Sequence, residues 1–261
     1  MNQGSESQPA DVQLNKGMDI SKILEFPLPE VRTHLNKLHA EARLDWAHEQ
    51  FGNNFVLTTS FGIQSAVLLH MVHLLRGGAQ IPVIWIDTGY LPPETYCYAQ
   101  QLTNQLALNI NIVQSPISPA RMEALHGKLW ETESLEDIEK YHLIRKVKPL
   151  ETALNDLSVH CWASGVRGKQ TDHRRSMTVL DEIRGRLSLR PLLEWTQKDV
   201  FYYMQKHDLP QHPLFERGYT SVGDWHSSAP EGDKTKGRDT RFGGLKQECG
   251  IHVQGVMGEG I

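Results

Sequence analysis

Short apolar strands that alternate with helical segments constrain the fold of this chain more than any other feature of its sequence. Residues 82–86 (PVIWI) are apolar at every position, which is typical of a parallel strand covered on both faces. Strands are also predicted at residues 55–60, 109–113 and 160–163. Helices are predicted around them, at residues 31–46, 64–76 and 119–129 and from Pro92, Pro149 and Thr196 onward. This order predicts an α/β fold with a parallel sheet and ligand sites at the carboxyl ends of its strands.

Charge and hydropathy exclude two classes of protein. The formal net charge is −4, from 27 Lys and Arg against 31 Asp and Glu, so no global basic field recruits nucleic acid. The most apolar window, residues 66–75, contains His70 and His73 and is too short to cross a bilayer. The polar first eleven residues do not have the pattern of an export signal. We therefore expect a cytoplasmic protein with no membrane or nucleic-acid partner.

The three cysteines, Cys97, Cys161 and Cys249, limit the disulfide and metal chemistry of one chain. They are far apart and include no CxxC pair, which excludes a disulfide framework and a local four-cysteine zinc or iron–sulfur site. The thirteen histidines include no HExxH motif, and we predict no metal site. The cysteine count leaves one option open, a single reactive thiol in a reducing compartment.

The end of the first predicted strand has the composition of an anion site. A short turn with hydroxyls and a glycine leads directly into a helix; its residues are Ser60, Phe61, Gly62, Ile63, Gln64 and Ser65. Free backbone N–H groups and the positive end of the helix would face an anion there. Phosphate binding and an ordinary strand–helix turn explain the local sequence equally well, and there is no Walker A motif.

Two more strand ends carry polar residues. After the second strand, the Asp87 carboxylate either accepts hydrogen bonds from a ribose or an exocyclic amine or caps the turn through Thr88 and Gly89, and the two interpretations are level. The fourth strand is followed by four cations within nine residues, namely Arg167, Lys169, Arg174 and Arg175. Because this cluster lies at a strand end of an acidic protein, it indicates a phosphate or sulfate site more than a solvated loop.

Cys249 is the cysteine with the surroundings of a nucleophile. Lys246 lies three residues before it, His252 three residues after it and Arg241 nearby, and these groups favour the thiolate. Flanking glycines would let the segment move. The alternative is a chance cysteine in a frayed tail. The other two cysteines lie in apolar contexts that are typical of buried thiols.

Five segments of the chain, taken together, match one known family. They are the loop 60–64, Asp87-Thr88-Gly89-Tyr90, Gly127-Lys128-Leu129-Trp130, residues 212–224 (HPLFERGYTSVGD) and Glu248-Cys249-Gly250-Ile251-His252. They resemble the phosphoadenylyl-sulfate (PAPS) reductase family. The loop also resembles the SGGxDS loop of the adenine-nucleotide alpha-hydrolase superfamily, with Gln64 in place of the Asp, which indicates nucleotide binding without MgATP chemistry. The resemblance implies a Rossmann-like parallel sheet of that superfamily type.

The resemblance also implies a reaction and the residues that perform it. Cys249 would attack the sulfonyl sulfur of PAPS, expel adenosine 3′,5′-bisphosphate and become a thiosulfonate, and thioredoxin or glutaredoxin would then release sulfite. His252 and Lys246 are the other implied catalytic residues, and both would add positive charge. The implied substrate-binding residues are Ser60, Phe61, Gly62, Ile63, Gln64, Ser65, Asp87, Thr88, Gly89, Lys128, Arg167, Lys169, Arg174 and Arg241. A homodimer without a bound cofactor is implied as well.

Two departures from the family pattern affect these expectations. Gly168 stands where relatives often carry a second Arg, and we expect Lys169 or Arg175 to replace it. The cysteines that hold the four-iron cluster of the similar adenylyl-sulfate (APS) reductases are missing, which favours PAPS and predicts no cluster. The alternatives are a cluster-free APS reductase, an ATP-splitting adenylyltransferase, which requires SGGxDS, and a non-catalytic nucleotide sensor, in which Cys249 would be dispensable.

The chain is expected to divide into three parts. Residues 1–20 are polar and small, as in a disordered leader, and residues 21–225 form the nucleotide-binding α/β domain. Residues 226–261 form a flexible C-terminal segment that carries the reactive cysteine. Ten glycines from Gly218 onward and little apolar periodicity predict a mobile tail rather than a second core.

Overall fold

One six-stranded sheet organises the described part of the chain, which is residues 24–233, 235–248 and 250–252 of a computed structural model. The strands are β1 (Phe55–Thr59), β2 (Pro82–Asp87), β3 (Asn109–Gln114), β4 (Cys161–Ala163), β5 (Leu180–Ile183) and β6 (Arg186–Leu189). Their order in the sheet is β3-β2-β1-β4-β6-β5, and only the pair β5–β6 is antiparallel. The predicted α/β fold with a parallel sheet is confirmed.

Helices pack on both faces of the sheet. They are α1 (Leu28–Leu35), α2 (Ala40–Phe51), α3 (Ala66–Leu74), α4 (Pro93–Gln105), α5 (Pro119–His126), α6 (Leu135–His142), α7 (Lys148–Asp156), α8 (Asp172–Arg175) and α9 (Gln197–Lys206). Successive side chains of a strand point to opposite faces. On β1, Phe55 and Leu57 pack in the large core with α2 and α3, whereas Val56 packs in a second core with Leu150 and Leu154 of α7. β1 is therefore buried on both sides, as a central parallel strand should be.

The predicted helix at residues 31–46 is two helices in the structure. Asn36 ends α1, and the side chain of His39 accepts a hydrogen bond from the Ala42 N–H at the start of α2. The apolar spacing continues through the break, because both helices pack in the same core. The apolar periodicity thus predicted the buried face of α1 and α2 correctly but did not indicate the turn between them.

Two of the longer segments contain elements that were not predicted. The first is α6 with the π-helical turn (Leu143–Val147) that leads into the predicted helix α7, and the second is the β5–β6 hairpin with Arg184 and Gly185 at its turn. Charged residues interrupt the apolar pattern in both segments, although Arg145 and Arg186 are buried there. Buried arginines that are paired with carboxylates or carbonyl oxygens are invisible to a hydropathy pattern.

The described part of the C-terminal segment packs against the α/β domain. Residues Trp225–Ser227 and Gly237–Gly244 form 3₁₀ turns, and Thr240, Arg241 and Phe242 are buried. The predicted mobility of residues 226–261 stays a prediction. The residues of this range that the structure describes are docked on the domain. Among the described residues, no helix is long and apolar enough to cross a membrane.

Candidate active site

A cavity of about 240 Å³ lies at the carboxyl ends of β1 and β4. These strands flank the point where the strand order reverses, with β2 on one side of β1 and β4 on the other. Open parallel sheets bind ligands at such a point. The apolar lining includes Leu57, Ile84, Ile86 and Leu150, and the cationic lining includes Lys146, Arg167, Arg174, Arg238 and Arg241. The cavity therefore combines surfaces for an apolar ring and for an anion.

The loop after β1 forms one edge of this cavity. Ser60, Gly62, Ile63, Gln64 and Ser65 all line it, as predicted for a ligand loop. The Phe61 side chain is fully buried instead and packs edge-on against Trp85, with 4.9 Å between ring centroids. Its backbone is left-handed (φ 46°), and its N–H donates to Thr59 Oγ1 at 3.1 Å. Phe61 therefore shapes the loop, and its side chain does not line the cavity.

Gln64 and Arg167 join the ends of β1 and β4 across the cavity. An Arg167 Nη2 hydrogen donates to Gln64 Oε1, and both side chains line the cavity. Burial and the neighbouring Arg174 lower the pKa of Arg167 to about 10, which leaves the guanidinium charged at neutral pH. An amide at position 64 suits this contact, because it adds a hydrogen-bond acceptor without neutralising the cation.

Arg174 is fully engaged by neighbouring side chains. Its Nε and Nη2 donate to the two carboxylate oxygens of Glu248, at 2.8 Å each, and its Nη1 donates to Gln170 Oε1 at 2.5 Å. Thr171 Oγ1 donates to the same Glu248 carboxylate at 2.9 Å. A carboxylate from the C-terminal segment thus holds a cation that the sequence assigns to a substrate anion.

Lys146 is a cavity residue that the sequence reading missed. It lies in the π-helical turn after α6, and its Nζ is 2.5 Å from Asp224 Oδ2. Thr88 Oγ1 donates to the other oxygen of Asp224 at 2.5 Å. Burial alone would raise the pKa of Asp224, but the Lys146 ammonium and the Thr88 hydroxyl hold it well below its ordinary value. The only signal for Asp224 was its place at the end of the motif 212–224.

Asp87 and Gly89 adopt the turn-capping alternative. The Asp87 carboxylate accepts hydrogen bonds from the Gly89 N–H at 2.8 Å, from Tyr96 Oη at 2.7 Å and from Gln114 Nε2 at 2.6 Å, and it does not line the cavity. Gly89 has φ 75°, and a Cβ there would lie 2.7 Å from Pro119 Cγ. Both residues build the turn that carries Thr88, which does line the cavity.

Several predicted cations lie away from the cavity. Lys128 pairs with Glu131 at 3.2 Å, Arg175 with Asp172 at 2.8 Å and Lys246 with Glu139 at 2.6 Å, and Lys169 is exposed. None of these four lines the cavity. Neither Lys169 nor Arg175 therefore occupies the place of a second cation beside Arg167. Arg238, which the sequence reading also missed, does line it and donates to the Gln247 carbonyl oxygen.

His252 is a half-buried residue of the docked segment, and its ring Nδ1 is buried. It lines the cavity and stacks on Trp162, with 5.1 Å between centroids and 16° between planes. Burial, followed by the nearby arginines Arg174, Arg190, Arg238 and Arg184, holds the pKa of His252 well below its ordinary value. The prediction that His252 adds positive charge is therefore wrong for the docked segment. Cys249 itself lies outside the described residues.

The sequence of this chain is similar to those of known reductases. A model of the phosphoadenosine phosphosulfate reductase domain matches residues 54–230. The phosphoadenosine 5′-phosphosulfate reductase of Synechococcus sp. is 53% identical over 227 residues, which cover 87% of this chain and 97% of the relative. That of Vibrio cholerae is 44% identical over 225 residues, 86% of this chain and 88% of the relative.

Solved structures show the same fold. A phosphate complex of the PAPS reductase from Candida auris superposes with a TM-score of 0.66 at 27% identity, over 79% of this chain and 99% of that one. FMN adenylyltransferase from Candida glabrata, in complex with FMN and an ATP analogue, reaches a TM-score of 0.54 at 13% identity, over 84% of this chain and 76% of that one. The sheet is of the adenine-nucleotide alpha-hydrolase type.

Proposed function

The chain belongs to the phosphoadenosine phosphosulfate reductase family, and from this premise we propose that it reduces PAPS to sulfite and adenosine 3′,5′-bisphosphate in sulfate assimilation. The observation that carries the proposal is the cavity at the ends of β1 and β4, whose lining combines apolar side chains with five cations. A nucleoside suits the apolar lining. Linked phosphate and sulfate groups suit the cations, because guanidinium and ammonium groups form charge-assisted hydrogen bonds to such anions.

The proposed first step is a displacement at sulfur by the Cys249 thiolate. A bond forms between the cysteine sulfur and the sulfonyl sulfur, and the bond from that sulfur to the bridging oxygen breaks. The electron pair of the broken bond leaves on the phosphate of adenosine 3′,5′-bisphosphate. The enzyme then carries a cysteine S-sulfonate, and no net proton transfer is required because the phosphate is a good leaving group.

In the proposed second step, a dithiol protein of the thioredoxin or glutaredoxin class attacks the Cys249 sulfur. Sulfite leaves with the electron pair of the sulfur–sulfur bond, and a mixed disulfide remains. The second thiol of the donor then releases Cys249 as a thiolate and leaves the donor as a disulfide. Two electrons thus pass from the dithiol to the sulfonyl sulfur, which balances the reduction of the sulfate group to sulfite.

The contribution of the protein to the first step is electrostatic. A thiolate and a sulfate group repel each other, and fixed cations that face both lower this repulsion as the transition state forms. Arg167 is held by Gln64, and Lys146 by Asp224, so both cations are in place before the substrate binds. Neutral His252 is suited to hydrogen bonding and to stacking rather than to supplying charge.

Motion of the C-terminal segment is part of the proposal. The residues on either side of Cys249 dock through Glu248 on Arg174 and through the Ile251 carbonyl oxygen, which accepts a hydrogen bond from Arg184 at 2.9 Å. A protein-sized electron donor needs access to the cysteine sulfur. Undocking of this segment after the first step provides that access.

Three further features complete the proposed function. The electron donor is thioredoxin or glutaredoxin, no metal or cluster takes part, and the working unit is a homodimer, as the family resemblance implies.

A free nucleophilic thiol fits a reducing compartment, which supports a cytoplasmic location. The oligomeric state is measured by sedimentation of the full chain.

The test of the proposed function is sulfite release from PAPS with reduced thioredoxin. We expect Cys249→Ser to reduce turnover by at least about 10³-fold, because it removes the nucleophile. Cys97→Ser is the matched control and is expected to retain wild-type turnover. The sequence context predicted a buried Cys97, but the thiol is exposed on α4 and lies outside the cavity. Equal turnover of wild type and Cys249→Ser would exclude the thiosulfonate mechanism.

APS in parallel with PAPS tests the substrate. PAPS carries a 3′-phosphate that APS lacks, and cations of the cavity would bind it. We expect kcat/KM to be higher for PAPS. Activity with APS alone would establish the cluster-free APS reductase in its place.

A further inference from the structure

One turn contacts two of the cavity cations that come from different parts of the chain. Residues 223–228, called here the cation-holding turn, follow the loop 220–222, and the cavity lining continues from this loop into the turn at Gly223 and Asp224. Lys146 reaches this turn from the π-helical segment before α7, and Arg241 reaches it from the 3₁₀ turn Gly237–Gly244. The turn therefore connects two positive groups whose own elements are separate.

Asp224 holds Lys146 by charge. The carboxylate is fully buried, and its two oxygens receive the Lys146 ammonium at 2.5 Å and the Thr88 hydroxyl at 2.5 Å. The Trp225 N–H donates to the Tyr90 carbonyl oxygen at 2.8 Å, which ties the turn to the end of β2. A long lysine side chain loses conformational freedom when it is fixed, and a rigid, buried counter-charge offsets this cost.

Gly223, Ser227 and Ser228 hold Arg241 by shape and by hydrogen bonds. Arg241 Nη1 donates to Ser228 Oγ at 2.7 Å, and Nη2 donates to Ser227 Oγ at 2.8 Å. The guanidinium lies directly on the Gly223 backbone, because a Cβ on Gly223 would be 2.7 Å from Arg241 Cζ. Gly223 has an ordinary backbone conformation, so the close approach of Arg241 is the feature that requires glycine there.

We propose that the cation-holding turn is a positioning element that sets the relative places of the Lys146 ammonium and the Arg241 guanidinium, and so fits the cavity to the phosphosulfate anion. This inference rests on the proposed function. Neither Gly223 nor Asp224 needs to touch the reacting atoms. Their effect passes through the two cations, which are useful only where they match the anion.

Gly223→Ala is the sharpest test, because it moves a cation without unfolding the protein. The added methyl group meets the end of a flexible side chain rather than backbone, so we expect the guanidinium to shift and the melting temperature to stay within a few degrees of wild type. The expected loss in kcat/KM for PAPS is about 10²-fold. The binding of adenosine 3′,5′-bisphosphate, measured by calorimetry, should weaken less, because the product lacks the sulfate group.

Gly232→Ala is the matched glycine control. Gly232 lies in the same segment outside the cavity, and its Cβ would have 3.5 Å to the nearest atom, which is ordinary contact. We expect wild-type kinetics for this variant. If Gly223→Ala and Gly232→Ala have the same kcat/KM, the positioning role is overturned.

Asp224→Asn tests the Lys146 half of the turn through a pH profile. The variant leaves a buried ammonium without its carboxylate, and such a group loses its proton at lower pH than a paired one. We expect kcat/KM of Asp224→Asn to fall with rising pH over a range where wild type is flat. Among the described residues, the other groups that face Lys146 are Tyr141, at 5.8 Å from Nζ to the ring centroid, the buried His142 and the half-buried His226.

Burial lowers the pKa of both histidines, to about 4 for His226, so neither titrates in that alkaline range. Asp181→Asn is the control, because Asp181 pairs with Arg32 and Arg190 and none of the three lines the cavity. Superimposable pH profiles for wild type, Asp224→Asn and Asp181→Asn would contradict the role of Asp224. If wild type itself neither binds adenosine 3′,5′-bisphosphate nor releases sulfite, the proposed function fails. If wild type and the variants are all active with equal kinetics, only the positioning role of the turn fails.

Discussion

The two walls of the cavity are built in different ways. The strand-end wall, residues 57–65 and 164–167, is fixed by the sheet and by hydrogen bonds to its backbone, such as Thr58 Oγ1 to the Ala163 oxygen at 3.2 Å and the Ser164 N–H to the Leu189 oxygen at 3.1 Å. The C-terminal wall, which consists of the described residues between 223 and 252, is fixed largely by side chains, with Glu248 on Arg174 as the main ion pair. The first wall is therefore fixed by backbone pairing within the sheet, and the second depends on side-chain contacts that we propose can open.

Histidines reinforce this difference. His226 stacks on Trp130 at 4.0 Å between centroids, and His252 stacks on Trp162. Both side chains are half-buried, and burial lowers the pKa of each ring, which favours its neutral form. The strand-end wall contains no histidine. Protonation of neutral histidines or competition by an anion for the ion pairs can undock the C-terminal wall. The strand-end wall has no such contacts, because backbone hydrogen bonds of the sheet hold it.

Acidification should release the C-terminal wall while the strand-end wall stays protected, and this is the largest difference expected between them. Burial lowers the pKa of His226 to about 4, so the docked wall binds fewer protons than the undocked one. Docking is therefore fully stable above the ordinary histidine value of about 6.5 and weakens as the pH falls toward 4. We expect amide exchange in residues 237–248, corrected for intrinsic rates, to be about 10- to 100-fold faster at pH 5 than at pH 7.5.

His226→Phe sharpens the acid experiment. The phenyl ring keeps a partner for Trp130 but cannot take a proton, so we expect a smaller acid response in residues 237–248. Exchange in β1 and β2 serves as the internal reference. Equal acceleration in the sheet and in the C-terminal segment would mean that the two walls do not differ in acid stability.

Glu248→Gln tests whether the two walls compete for Arg174. In the docked segment the Glu248 carboxylate takes two donors of this arginine, so a substrate anion must displace it. A neutral amide is easier to displace, and we expect adenosine 3′,5′-bisphosphate to bind about 5- to 10-fold more tightly. The measurement is titration calorimetry of the full chain.

Glu139→Gln is the control for Glu248→Gln. It removes the partner of Lys246 in the same segment, and neither Glu139 nor Lys246 lines the cavity. Binding should be unchanged in this variant. Weaker binding in Glu248→Gln than in Glu139→Gln would show that the carboxylate supports the anion site instead of competing with the ligand.

Ser164→Ala tests the strand-end wall and has the smallest expected effect. The Ser164 hydroxyl lines the cavity and has no hydrogen-bond partner among the described residues. A ligand that satisfies it would be held by one neutral hydrogen bond, so we expect KM to rise about 3- to 10-fold with little change in kcat. Ser188→Ala is the control, since Ser188 has an equally buried, unpartnered hydroxyl on β6 outside the cavity. Equal KM values for the two variants would exclude this role.

The same division explains what the sequence could predict. Strands β1, β2 and β4 are apolar runs that end in polar residues, so Gln64 and Arg167 could be located at the cavity from pattern and topology alone. Lys146 and Asp224 could not, because they lie 78 positions apart in irregular segments and their role depends on burial as a pair. The sequence could not decide between the two roles of Asp87. A carboxylate after a strand caps a turn in some proteins and binds a ligand in others, and the local sequence is the same in both cases.

The proposed reaction requires Cys249 to take the sulfonyl group from the substrate while the segment is docked. The direct measurement is the mass of the full chain, followed by peptide mapping, after one equivalent of PAPS is added without any thiol donor. We expect one sulfonate group, found on the peptide that contains Cys249, and its release as sulfite when reduced thioredoxin is added. Sulfite formed in a Cys249→Ser variant at the wild-type rate, with no modified cysteine in either protein, would contradict it.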